Sequence, residues 1–134
     1  MSLYFSTLGE KAMNEKVFHV GGVELHVDKR NFGSDGGPSV RVYGEVNGEN
    51  VQLLRFDCFR KDPHYHYDPS GKNDQHSLDK ASVPDSVAWT IEQLGQNLVE
   101  MIHTAGYDSV AEAVDQTAVT EVLSEVESLM RSED

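Results

Sequence analysis

Apolar and polar positions alternate along the first two thirds of the chain and shift to a helical spacing in the last third. Val17-Phe-His-Val20 and Val23-Glu-Leu-His-Val27 flank Gly21-Gly22, which is a two-residue hairpin signal. In that register Val20 faces Val23, Phe18 faces Leu25, and His19 opposes Glu24 on the other side. A His–Glu cross-strand pair explains His19 without a ligand role. The turn-rich segment Asn31 to Ser39 reads as a loop. Alternation resumes at Ser39-Val-Arg-Val-Tyr-Gly-Glu-Val46, pauses at Asn47-Gly48 and continues through Phe59. A two-residue loop there would split the apolar sets Val40, Val42, Val46 and Leu54, Phe56, Cys58 between faces. A loop of odd length, with Gly48 left-handed and a bulge, brings Val42 opposite Leu54.

That register leaves Arg41, Tyr43, Arg55, Asp57 and Phe59 on the face opposite the core. His64-Tyr-His-Tyr67 pairs beside this arm with its tyrosines inward, which adds His64 and His66 to the polar face. Residues 69–82 read as a loop with room for one short strand. A helix begins with Ser82 or Val83 before Pro84, with Asp85 near its positive end. Its stripe is Val87, Ile91, Leu94, Leu98 and Met101 or Ile102, and Gly106 stops it. A second helical pattern runs from Asp108 to about Met130, with a break near Asp115. Residues 1–15 form an arm or a short helix. The expected fold is α+β: an antiparallel sheet of four or five strands with two C-terminal helices packed on one face. It is expected as a single domain over 1–134, with a β-rich part at 16–80 and a helical part at 83–131. Val20, Val23, Leu25, Val42, Leu54, Phe56, Ile91, Leu94 and Leu98 are its expected core.

Charge changes the picture of partners. The net charge is −12, and residues 85–134 hold 11 acids against Arg131 alone. That third repels a nucleic-acid backbone, so RNA is disfavoured as a partner on charge alone. It reads as a solvated face or a docking face for a basic protein, and the terminal helix suggests a homodimer through the helical part. The single cysteine, Cys58, excludes an internal disulfide and reads as a small core residue. No apolar run approaches the roughly 20 residues that span a bilayer. A cytoplasmic protein without membrane contact is expected. His26 reads as a surface strand residue, and His103 as a partner of its helix's negative end.

The candidate chemistry lies in Leu53-Leu-Arg-Phe-Asp-Cys-Phe-Arg-Lys-Asp-Pro-His-Tyr-His-Tyr-Asp68. His64 and His66, alternating on a strand, can share one divalent metal ion, with His76, Asp62, Asp68 or Asp57 completing three ligands. The same histidines can act as base and acid around a phosphate held by Arg55 and Arg41, with Asp57 orienting an imidazole. A small protein acting by association, without catalysis, is the first reading. RNA-directed and metal-dependent activities stand as alternatives.

Leu54-Arg55-Phe56-Asp57 followed closely by His64-x-His66, with a helix beyond, resembles the TumE-type toxins of bacterial toxin–antitoxin pairs. That family carries a Leu-Arg-Tyr-Asp-like strand and then an Asp-His-Arg-His-like segment, and the similarity spans about residues 39–105. The resemblance implies a toxin-like activity against RNA, inhibited by a partner protein, with Arg55, Asp57, His64 and His66 at the matching positions.

Overall fold

The computed structural model of the chain describes residues 13–132. Among these, six strands form one antiparallel sheet in sequence order, followed by four helices. The strands are β1 (Met13–Val20), β2 (Val23–Phe32), β3 (Asp35–Val46), β4 (Glu49–Asp57), β5 (His64–Tyr67) and β6 (Asp74–Ser77). The helices are α1 (Ser86–Gln96), α2 (Leu98–Thr104), α3 (Asp108–Ala113) and α4 (Gln116–Arg131). Of the segment expected as an arm or short helix over 1–15, residues 13–15 belong to β1 and residues 1–12 lie outside the described residues.

The first hairpin has the expected register: Phe18 pairs with Leu25, His19 with Glu24 and Val20 with Val23. Both turn glycines are left-handed, Gly21 at φ 62° and Gly22 at φ 88°, as a turn matching the twist of the strands requires. The segment expected as a loop over 31–39 is instead a continuation of β2 and β3 around Gly33-Ser34, with Asn31 paired to Gly36 and Arg30 to Gly37. Glycine-rich sequence marks close backbone approach here. A Cβ on Gly37, whose φ is 149°, would stand 2.4 Å from the Cys58 carbonyl oxygen. Just beyond the end of β4, Cys58 N–H donates to the Pro38 carbonyl at 2.9 Å and Arg60 N–H to that of Gly36 at 2.9 Å.

The second hairpin corrects one detail. Its loop is the two residues Asn47 (φ 53°) and Gly48 (φ 82°), with Val46 paired to Glu49. The bulge lies within β4, where Tyr43 pairs with Gln52 and Val42 with Leu54, leaving Leu53 as the extra residue. Val42 does meet Leu54. The inserted residue switches parity, so Leu53 and Leu54 are both fully buried while Arg55 and Asp57 leave on the opposite face.

The apolar face of the sheet and the helices share one core, in which Leu25, Val40, Val42, Leu54 and Phe56 meet Leu94, Leu98, Ile102, Val119 and Val126. Of the expected core, Val20 and Ile91 are only partly buried. Cys58 is 6% exposed, its thiol beside Thr90 Oγ1 at 3.2 Å. Burial raises its pKa against the opposing effect of its hydrogen bonding with Thr90 and Ser86.

Each of the two helical patterns breaks once, near Asp115 as expected and at Asn97 where no break was expected, which gives four helices. Asp85, not Ser82 or Val83, caps α1, its carboxylate accepting from Ala88 N–H at 3.1 Å. Asn97, at φ −127°, interrupts α1 and α2, yet it donates its N–H to Gln93 and its carbonyl accepts from Met101. The two helices are nearly continuous. Asp115 caps α4 and donates its N–H to the Gly21 carbonyl at 2.9 Å, which ties the second break to the first hairpin turn. No described helix is long and apolar enough to cross a membrane.

Gly37→Ala should lower stability in urea unfolding by about 2 kcal/mol more than Gly33→Ala. Gly33 is also left-handed, at φ 72°, but open to space, so its alanine variant carries only the backbone penalty of about 1–2 kcal/mol. Equal losses would show that the close approach to Cys58 contributes nothing.

Candidate functional site

Strand pairing builds the polar face in two adjacent rows. One runs Asp28, Ser39, Asp57, His64 and Ser77 from β2 to β6. The other runs His26, Arg41, Arg55, His66 and Gln75. Parity thus brings together Arg55, Asp57, His64 and His66, the four residues singled out from the sequence.

Asp57 is the centre of this group, its residue only 3% exposed. Its Oδ1 accepts from Ser39 Oγ at 2.8 Å. Its Oδ2 accepts from Arg55 Nε at 3.0 Å and lies 3.0 Å from His64 Nε2 and 3.5 Å from His66 Nε2. Burial pushes this carboxyl up. The hydrogen bond from His64, the Arg55 charge and the Ser39 hydroxyl outweigh it and hold the group well below the usual carboxylate range.

His64 bridges Asp57 and the Asp62 carbonyl, which lies 2.8 Å from Nδ1. The hydrogen bond to Asp57 raises its pKa above 6.5 against the opposing effect of burial, and the Asp62 carbonyl adds to the rise. Both ring nitrogens therefore donate in the charged form. His66 is oriented differently. Its Nδ1 lies 2.8 Å from Asn73 Oδ1, which accepts the ring hydrogen, and its Nε2 faces Arg55 Nη2 at 3.1 Å. A guanidinium can only donate, so this Nε2 presents its lone pair.

The loop between β4 and β5 is held by Asp35, whose carboxylate accepts from the Lys61 N–H at 2.9 Å and the Asp62 N–H at 3.1 Å. Those backbone donors lower its pKa. Asn73 is held by the turn after β5, where its N–H donates to the Asp68 carbonyl. Tyr107, between α2 and α3, anchors that turn by donating to Asp68 Oδ1 at 2.5 Å.

Four expected participants are placed elsewhere. His76 pairs with Tyr65 in the β5–β6 register and so falls on the tyrosine side. It stacks on Tyr65 at 5.2 Å and contacts Asp74, and it cannot serve as the third metal ligand. Arg41 lies across from Arg55, but its guanidinium is engaged by Asp28 and Glu15. Asp68 serves the turn, and Asp62 contributes its backbone carbonyl rather than its exposed carboxylate. Asp57 takes the third position instead: ligand atoms of Asp57, His64 and His66 all lie within 4.8 Å of one another. His26 is also less exposed than expected, its ring held by Glu24 at 2.9 Å and Glu15 at 3.2 Å.

The cluster lines a cavity of about 350 Å³ together with Arg30, Phe59 and Gln75. Arg55, Arg30 and His64 line it beside a single carboxylate, that of Asp57, so basic side chains outnumber acidic ones in its lining in a chain of net charge −12. Ser39, Asn73, Arg30 and Gln75 were not singled out from spacing. Ser39 and Arg30 would have emerged had residues 31–39 been read as paired strand.

Histidine NMR should place the His64 midpoint above 6.5, and Asp57→Asn should lower it. The sign follows from the pairing: a raised imidazole pKa stabilises the fold below the unfolded value, and that contribution fades as pH rises through the folded one. An unmoved His64 titration in Asp57→Asn would remove Asp57 as its cause.

Comparison with curated proteins and with solved structures finds no match. The family model described as "Domain of unknown function (DUF7700)" matches residues 17–130, including the whole Arg55–His66 cluster. The chain belongs to this DUF7700 family.

Proposed function

We propose that the cavity is an acid–base centre that cleaves a phosphodiester of RNA. The observation that carries this reading is the convergence of two differently oriented imidazoles and a guanidinium beside one buried carboxylate. Arg55 and Arg30 bind the phosphate oxygens and stabilise the charge that grows on them. His66, its lone pair turned inward by Asn73, takes the proton of the ribose 2′-hydroxyl. The 2′-oxygen attacks phosphorus, and the bond from phosphorus to the 5′-oxygen breaks. His64 gives its proton to that departing oxygen, leaving a 2′,3′-cyclic phosphate and a 5′-hydroxyl. Asp57 holds the His64 ring in position and favours its charged form.

The resemblance to TumE-type toxins, which falls on these same four residues, supports RNA as the substrate class. The acidic excess is concentrated in residues 85–134, largely apart from the strands that line the cavity. Action by association alone leaves this convergence without a use. A partner protein enters the reading as an inhibitor that covers the cavity.

Purified protein incubated with RNA oligonucleotides should yield products ending in 2′,3′-cyclic phosphate. His66→Ala and Arg55→Gln should each slow cleavage by about 100-fold or more, while His76→Ala retains the wild-type rate. Failure to cleave any RNA, or cleavage unchanged in folded His66→Ala, would reject the proposal.

A further inference from the structure

We propose that Asp57, His64 and His66 also bind one divalent transition-metal ion, of the zinc type, and that this ion blocks the acid–base centre. The inhibitory half rests on the proposed RNA cleavage; the binding half does not.

The argument begins with the atoms that point away from the centre. Asp57 Oδ1 is occupied by Ser39 Oγ, His64 Nδ1 by the Asp62 carbonyl, and His66 Nδ1 by Asn73 Oδ1. Each of the three side chains is therefore oriented through its outer atom by a separate partner. The remaining atoms, Asp57 Oδ2 and both Nε2, converge. Outer-shell hydrogen bonds of this kind fix tautomer and ring direction at metal sites. The spacing also fits. Two ligand atoms bound at about 2.0–2.2 Å to one ion stand roughly 3.0–3.5 Å apart, and Asp57 Oδ2 lies 3.0 Å and 3.5 Å from the two Nε2 atoms. Two imidazoles and one carboxylate favour zinc, copper or nickel over magnesium or calcium, which prefer all-oxygen shells. The adjacent cavity leaves room for water to complete the coordination.

Arg55 makes the site competitive. Its Nε and Nη2 contact Asp57 Oδ2 at 3.0 Å and His66 Nε2 at 3.1 Å, two of the three ligand atoms. An entering ion must displace this guanidinium, whose side chain is 31% exposed and can turn outward. It must also take the place of the hydrogen that His64 donates to Asp57. The base lone pair, the acid proton and the phosphate-binding cation are then lost together, so the ion inhibits.

Isothermal titration of the full untagged chain with zinc chloride should give one ion per chain. His64→Ala and His66→Ala should lose that binding. Asn73→Ala, which keeps all three ligands, should weaken it 10–100-fold. Arg55→Gln should bind more tightly than wild type because the competing cation is gone, and His76→Ala should match wild type. RNA cleavage should fall as the site fills. No saturable binding, or binding indifferent to His64 and His66 in variants of native circular dichroism, overturns the metal site. Saturable binding with cleavage undiminished overturns the inhibition. Zinc binding by a protein that cleaves no RNA supports the metal site and rejects the RNA reading alone.

Discussion

The carboxylate of Asp57 is the constraint on which the polar half of the structure depends. A charge taken out of water on a sheet face is costly unless several donors surround it. Ser39 from β3, Arg55 from β4 and His64 from β5 supply them. These groups meet only if three strands keep one register. A slip of one residue in β5 would turn the tyrosines toward Asp57 and both imidazoles toward Trp89 and the core. The same carboxylate that organises the fold thus organises the candidate chemistry.

A second carboxylate on the same face shows what fewer donors do. Asp28 stands across Ser39 from Asp57 in the cross-strand row. Its side chain is fully buried, Arg41 and Arg30 are its cations, and its Oδ1 has no hydrogen-bond partner among the described residues. Burial raises its pKa despite the two arginines. Asp57, with partners on both oxygens, moves the opposite way. The contrast lies in hydrogen-bond satisfaction more than in depth or in the number of nearby cations.

The strand parity of this molecule was legible in its sequence because alternation is a local signal. Val42 opposite Leu54, and Arg55, Asp57, His64 and His66 on one face, follow from period two with a single inserted residue. The position of that residue was not legible. Leu53 and Leu54 are chemically alike, so the bulge moved between the turn and β4 without altering the pattern. The glycines of 31–39 suggested a loop, whereas Gly36 and Gly37 permit strands to pass close to the 58–60 backbone. Calling His76 a ligand assumed a loop that could fold back; β6 instead pairs in register and carries it to the tyrosine side. The break near Asp115 was legible in its weak helix formers and is fixed by the contact with Gly21, whereas nothing in the stripe from Val87 to Ile102 signals the break at Asn97.

If Asp57 binds the polar face together, its contribution must be inseparable from that of its imidazole partners. A double-mutant cycle of Asp57→Asn and His64→Gln, read by urea unfolding at pH 6, tests this most directly. The account gives a coupling of about 1–3 kcal/mol between the two positions. Effects that add to within about 0.3 kcal/mol would contradict it, and would leave Asp57 and His64 as neighbours that share a face without depending on each other.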